Sequence, residues 1–160
     1  MKPESLRNAT EKYFHTVYRL ALSRTKNVSD AEDVTQEVFL KLIKNNKPFE
    51  SDEHLKAWLI RVTINCSISI LKSSFRKKTL PLTEEIPFKT KEESDVYYAV
   101  AELPLKYRTV IHLFYYEDLP IAKIAEILKT KEPTIKTRLL RARKMLSEKL
   151  SIFGKEEYFV

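Results

Sequence analysis

The chain has 160 residues, 43% of them hydrophobic, and its 29 basic residues against 22 acidic ones leave a net charge of +7. That length fits one ordinary domain or two small ones, and the apolar content suffices for a core and excludes global disorder, while the positive balance points first to nucleic acid and second to an anionic membrane surface. A single glycine, Gly154, rules out a glycine-rich phosphate loop and disfavours β-hairpins.

Other absences narrow the field. No apolar run approaches the roughly 18 residues that a membrane span needs. The opening MKPESLRNATEKYF has no apolar signal core, so a cytoplasmic protein without membrane insertion is expected. Cys66 has no second cysteine to pair with, and His15, His54 and His112 show no zinc-type spacing with it. No set of nucleophile, base and orienting group stands out, so neither cofactor, metal nor catalytic residue is expected.

In chain order, the spacing predicts a first helix over about 5–24, with Tyr13, Val17, Leu20 and Ala21 as its buried stripe. Asn27-Val28-Ser29 breaks it. Ser29 followed by Glu32 predicts a capping box at the start of a second helix. That helix ends before Asn45-Asn46-Lys47-Pro48, where an asparagine can take the left-handed conformation and the proline forbids continuation. Ala31, Val34, Val38 and Leu42 share its inner face, whereas Asp33, Gln36, Glu37 and Leu40 lie almost opposite. An acid, an amide, an acid and a leucine on one outer stripe form either a protein-docking surface or a solvated face with one stray leucine. Spacing alone favours the second, because single exposed apolar residues are common.

Ser51 predicts the cap of a third helix, with Asp52 and Glu53 in its first turn, where the helix dipole favours acids. Leu55, Trp58, Leu59, Val62 and Cys66 form its apolar stripe. A second stripe carries Arg61, Asn65, Ser69, Lys72 and Arg76, and from Arg61 to Lys78 there are five basic residues and no acid. A cationic face without compensating carboxylates suits phosphate contact. The stretch TLPLTEEIPFKTKEESD, residues 79–95, has two prolines and a negative balance, which reads as a linker between two helical domains.

A fourth helix is expected over about 94–102. Pro104 then opens a fifth, whose Leu103, Tyr107, Val110, Ile111 and Phe114 form a buried stripe. Tyr115 to Leu119 reads as a turn, with Asp118 as cap and Pro120 as the opening of the next helix. There Ile121, Ile124, Ala125 and Leu128 precede a Lys129-Thr130-Lys131 break, and Ile135, Leu139, Ala142, Leu146 and Leu150 follow on a longer helix. Residues 120–150 hold nine basic residues and three acids, a net of +6. A short helix, a tight turn and a long basic helix make a helix-turn-helix plan for entering the major groove.

These blocks together resemble a bacterial sigma factor of the extracytoplasmic-function type, in the sigma-70 family. DAEDVTQEVFLKL (Asp30 to Leu42) resembles the family's polymerase-clamp-binding helix, and HLKAWLIRVTINCSISILKS (His54 to Ser73) its promoter-melting helix. ELPLKYRTVIHLFYYEDL (Glu102 to Leu119) resembles the start of its second domain, and IAKIAEILKTKEPTIKTRLLRARKML (Ile121 to Leu146) its −35-reading motif. Four blocks in the family's order are far more specific than one helix-turn-helix.

The resemblance implies an all-α chain: a region 2-like domain over 1–78, a flexible linker over 79–95, and a region 4-like helix-turn-helix domain over 96–160. It implies that Asp33, Gln36, Glu37 and Leu40 dock on the clamp helices of the largest subunit of core RNA polymerase, so docking now outweighs the solvated reading. Asn65 takes the position of the family's base-capturing asparagine at the −10 element of promoter DNA. Arg61, Lys72, Arg76, Lys77 and Lys78 hold backbone phosphates beside it. The second domain is expected to touch the flap tip and read the −35 element. Thr134, Thr137, Arg138 and Arg141 are the candidates for base edges and Arg143 and Lys144 for phosphate, with Lys136 completing that set. An anti-sigma factor joins the partner list from the resemblance alone.

The sequence departs from the family pattern in places. Ser69 and Lys72 stand where an aspartate and an arginine are usual. Ala122 and Lys123 replace common acids, and Pro133 a small residue, which an early helical position tolerates. Lys129 stands where the turn usually has glycine. A left-handed lysine costs about 1 kcal/mol, so the turn is expected to take another shape. The rival readings are a stand-alone helix-turn-helix regulator and an interaction protein whose basic helices bind acidic protein or membrane.

Overall fold

The computed structural model describes residues 1–74 and 90–151. The chain divides into two compact units, Met1–Leu82 and Thr83–Val160. All regular structure among the described residues is helical, in accord with the expected all-α class.

The first unit holds α1 (Pro3–Thr25), α2 (Val28–Lys44) and α3 (Asp52–Ser74), each packed on the other two. Pro3 opens α1, where its missing N–H costs nothing. The helix ends on Lys26, left-handed at φ 53°, whose N–H reaches the Leu22 carbonyl at 2.8 Å. Asn27 then caps α2 by accepting from the Asp30 N–H at 2.9 Å. The capping box expected from Ser29 and Glu32 does not form: Lys26 terminates α1 so abruptly that the residue next to it already has the extended backbone an N-cap needs. At the other end Asn45 is extended and not left-handed, with φ −75°. Its side-chain amide donates to the Lys47 carbonyl at 2.8 Å.

Ser51 does cap α3, accepting from the His54 N–H at 3.0 Å. The first turn is tied to α1: Lys12 reaches the Asp52 carboxylate at 2.7 Å, and the Tyr13 hydroxyl donates to the same group. These two hydrogen bonds hold the Asp52 carboxyl below the usual carboxylate range. Tyr13, Val17, Ala21, Ala31, Val34, Val38, Leu42, Leu55, Leu59 and Cys66 are buried together, with Trp58 and Val62 half-buried against them. Ile60, Thr63, Ile64 and Ser67 are buried as well, outside the expected stripe, since α3 must face both α1 and α2.

The second unit holds α4 (Lys91–Ala101), α5 (Leu105–Ile111), α6 (Ile121–Leu128) and α7 (Glu132–Ser151). Thr90 caps α4 by accepting from the Glu93 N–H at 3.1 Å. The helix thus begins before Ser94, and Lys91 to Asp95, expected within the linker, are helical. The rest of that linker, residues 79–89, lies outside the described residues.

After Pro104, α5 runs into a π-helical turn, His112–Tyr116, closed by the Glu117 N–H on the His112 carbonyl at 3.2 Å. Tyr115 and Tyr116 are therefore helical and not in the expected turn. Asp118 does not cap α6. It is left-handed at φ 53°, and across it the Leu119 N–H reaches the Leu113 carbonyl at 3.1 Å. Pro120 itself occupies the N-cap position.

Between α6 and α7 the turn overturns one expectation. Lys129 does adopt the left-handed conformation, with φ 53° and ψ 46°. The Lys129 N–H bonds the Glu126 carbonyl at 3.3 Å and the Thr130 N–H the Ala125 carbonyl at 2.9 Å, a Schellman closure. Two helix-end carbonyls satisfied, and Ile127 and Ile135 seated in the core, outweigh a penalty near 1 kcal/mol. Ile135, Leu139, Ala142, Leu146 and Leu150 are fully buried along α7, against α4, α5 and α6. Burying a leucine or isoleucine contributes about 1.5–3 kcal/mol, so packing and not propensity holds this helix.

Candidate nucleic-acid and protein interfaces

Three outward stripes carry the expected site residues. On α2, burial of Ala31, Val34, Val38 and Leu42 turns Asp33, Gln36 and Leu40 to solvent. Leu40 is 47% exposed, and Ile43, one turn on and 56% exposed, extends the face. Ile43 was missed in the sequence, although it stands three residues beyond Leu40. Glu37 is half-buried. It faces Lys41 at 3.8 Å and lies near the Cys66 thiol, whose titration is pushed up first by burial and then by the Glu37 charge. Glu37 is thus turned partly towards α3 as well as outward.

On α3, Asn65, Ser69 and Lys72 are exposed and Arg61 is half-buried. Arg76, Lys77 and Lys78 lie outside the described residues. The rotation of this segment is set from behind by Arg24, a buried residue of α1. Its Nε donates to the Ser67 hydroxyl at 2.6 Å, which in turn donates to the Ile64 carbonyl at 2.7 Å. Ser67 sits between Asn65 and Ser69 in sequence, so fixing its direction fixes theirs. Helical spacing does not single out Arg24, because the local pattern of α1 gives no sign that its last turn faces α3.

On α7, Thr134, Lys136, Thr137, Arg141 and Lys144 are exposed, and Arg138 and Arg143 half-buried. The helix has an apolar residue on this side as well: Leu140 is 67% exposed, between Thr137 and Lys144. Spacing gave no hint of it, because only polar and charged residues count there as readers. An exposed leucine on this helix can meet a thymine methyl. The Thr137 hydroxyl donates to the Pro133 carbonyl at 3.0 Å. Two of the arginines are tied to the unit itself. The Arg141 guanidinium beside the Tyr107 hydroxyl draws it below its ordinary value. The Arg143 Nε donates to the Tyr115 hydroxyl at 2.7 Å. The arrangement offers base-edge donors, an apolar contact and surface cations on one helix; among the described residues it offers nothing resembling a nucleophile and its base.

Among the described residues no helix is long and apolar enough to cross a membrane. Residues 10–77 match the family model of sigma-70 region 2, and residues 94–146 that of sigma-70 region 4. The RNA polymerase sigma factor SigV of Bacillus subtilis (strain 168) is 34% identical over 140 residues, which cover 84% of each chain. The ECF RNA polymerase sigma factor SigW of the same organism is 28% identical over 158 residues, covering 86% of this chain and 84% of that one. The sigma factor RpoE of Bartonella quintana, solved in complex with the anti-sigma factor NepR, shares the fold at a TM-score of 0.80 and 23% identity, over 93% of this chain and 98% of that chain. With two region models in order and a relative above 30% identity matched over 84% of its length, the chain belongs to the sigma-70 family of RNA polymerase sigma factors, in its extracytoplasmic-function group.

Proposed function

We propose a division of labour among the three stripes. As a sigma factor the chain is a transcription initiation factor that binds core RNA polymerase and directs it to promoters. In our assignment residues 1–78 act as the region 2-like domain and residues 96–160 as the region 4-like domain. Asp33, Gln36, Glu37 and Leu40, extended by Ile43, dock on the clamp helices of the largest subunit. Arg61, Asn65, Ser69 and Lys72, with Arg76, Lys77 and Lys78, engage the −10 element. Thr134, Lys136, Thr137, Arg138, Leu140, Arg141 and Lys144 engage the −35 element, and the second unit meets the flap tip.

The observation that carries this reading is the outward placement of the α2 stripe: two polar side chains and two leucine-sized apolar ones exposed together on a helix whose opposite face is buried. An exposed apolar pair, continuous with Asp33 and Gln36 on one helix face, fits a protein partner better than DNA. The mechanism needs only binding. Phosphate contacts place α7 in the major groove and base-edge contacts select the sequence. Unstacking a base at the −10 element costs a few kcal/mol, offset by a pocket around it and by backbone contacts. The chain directs a catalytic partner and is not itself an enzyme, and it works in the cytoplasm with its template. RpoE was solved with an anti-sigma factor; we assign this chain a partner of that kind.

Run-off transcription with purified core RNA polymerase tests the reading. Addition of the chain is expected to produce a transcript of defined length from its promoter. Duplex binding without any promoter-specific start would favour a stand-alone regulator instead.

A further inference from the structure

The geometry points to Arg143 and Tyr115 as a positioning pair that sets how the reading helix is presented to DNA. Arg143 then governs promoter discrimination through the protein and does not hold a phosphate. The inference rests on α7 reading the −35 element.

Arg143 makes three contacts within its own unit. Its Nε donates to the Tyr115 hydroxyl at 2.7 Å. Its guanidinium carbon lies 5.5 Å from the centroid of the Phe114 ring and 5.7 Å from that of Tyr115. The two rings themselves meet edge to face, with centroids 4.9 Å apart. A planar guanidinium that stacks on rings and donates through Nε has its plane and its fork direction fixed by them. Phosphate clamping through Nε and its neighbouring Nη asks for the donor that Tyr115 already holds, so that use competes with the pair.

The partners are placed by an unusual piece of backbone. Phe114 and Tyr115 both lie in the π-helical turn that follows α5. Such a turn absorbs an extra residue and takes its side chains out of the α-helical register. Here that turn presents two neighbouring aromatic residues to the same arginine. Two residues earlier on α7, the Arg141 guanidinium lies beside the Tyr107 hydroxyl of α5. The reading helix is thereby attached through arginine–tyrosine contacts to both α5 and the turn after it. Lys144, next in sequence and exposed, remains the better phosphate ligand.

The two roles predict different responses to salt. Removing one phosphate ligand reduces the slope of log affinity against log salt by about 0.9. Disrupting a positioning pair leaves that slope alone and lowers the ratio between correct and wrong sequences. The experiment uses holoenzyme assembled from the full chain and core RNA polymerase. The probes are a duplex enriched by the wild-type holoenzyme from a pool randomised in the −35 window, and the same duplex with that window scrambled. Binding is measured over about 0.05–0.4 M salt, a range in which the slope is readily resolved.

Tyr115→Phe, which keeps every charge and nearly every atom, is expected to cut the enriched-to-scrambled ratio roughly threefold to tenfold, the effect of losing one ordinary hydrogen bond at an exposed site. Arg143→Lys keeps the charge but loses the plane and the Nε donor, and is expected to match it with the slope unchanged. The double variant is expected to be no worse than either single one, because each removes the same interaction. Thermal melting of each variant accompanies the binding data, and equal loss on both probes would mark simple destabilisation and overturn the proposal. A phosphate role for Arg143 would show as a wild-type ratio in Tyr115→Phe, a wild-type Arg143→Lys and a slope reduced by about one unit in Arg143→Gln; that result too overturns it. Failure of the wild-type holoenzyme to enrich any −35 sequence would remove the reading on which the pair depends, and is distinguishable from both.

Discussion

Lys129 is held at φ 53° and ψ 46° by a Schellman closure, in a region of backbone space where a side chain crowds the following carbonyl. Replacement by glycine removes that crowding, although glycine also makes the unfolded chain freer. The balance is expected to stabilise the second unit by about 0.5 kcal/mol, seen as a higher denaturant midpoint with an unchanged slope. A lower midpoint would mean that the Lys129 side chain makes an interaction worth more than its strain. The bonds that close this turn are all main-chain, from the Lys129 and Thr130 N–H groups to the Glu126 and Ala125 carbonyls, and none uses the Lys129 side chain. For that reason the residue's identity was a poor guide to the turn's shape. Lysine in the sequence argued for a different turn, but the burial of Ile127 and Ile135 on either side decided it. The same holds for Arg143. A basic residue on a basic helix reads as a phosphate ligand, and its partner Tyr115, 28 residues upstream, is placed by a π-helical turn that no periodicity signals.

Helix α2 shows what local spacing does reveal. Its inner residues Ala31, Val34, Val38 and Leu42 are all fully buried, so a period of 3.6 was enough to separate core from surface. The stripe opposite then followed from geometry, while its use as a docking face came from resemblance. These two faces should respond to mutation in opposite ways. Asp33→Ala combined with Gln36→Ala is expected to weaken binding to core polymerase by tenfold or more, roughly 1.4 kcal/mol or above for two interface residues. Its melting transition should stay within about 0.5 kcal/mol of wild type, as for other surface changes. Leu42→Ala is expected to cost about 2–5 kcal/mol of stability through the cavity it leaves. Unchanged affinity in a folded double variant would remove the docking assignment. Helix α3 was less legible because it is flanked on two sides. Ile60, Thr63, Ile64 and Ser67 join the buried set, and the Arg24–Ser67 bond that orients Asn65 and Ser69 connects helices far apart in sequence. Cap positions are poorly fixed by local sequence. Asn27 and Ser29 are both good caps two residues apart, and the left-handed Lys26 decided between them.

Across the chain, each unit encloses its own apolar set: Leu20, Val38, Leu42 and Leu59 in the first, Leu113, Ile124, Ile135 and Leu139 in the second. A unit of this size is marginal, with a stability of only several kcal/mol. Removing one buried leucine therefore takes a large share of it. The chain contains a single tryptophan, Trp58, on α3 in the first unit. Its fluorescence reports the unfolding of that unit, whereas far-ultraviolet circular dichroism reports the helices of both. Leu139 is buried at the centre of α7, and Leu139→Ala is expected to cost the second unit about 2–5 kcal/mol. The circular dichroism melt should then acquire an early phase while the Trp58 transition keeps its wild-type midpoint. Leu59→Ala is expected to do the reverse, moving the Trp58 transition down and leaving a late phase in the helical signal. Should Leu139→Ala lower the Trp58 midpoint by as much as the helical one, the two units would be unfolding as a single cooperative body. Separate transitions would instead mean that the unit assigned to promoter reading can be tuned, by a change such as Lys129→Gly, without altering the stability of the unit assigned to polymerase docking and DNA opening.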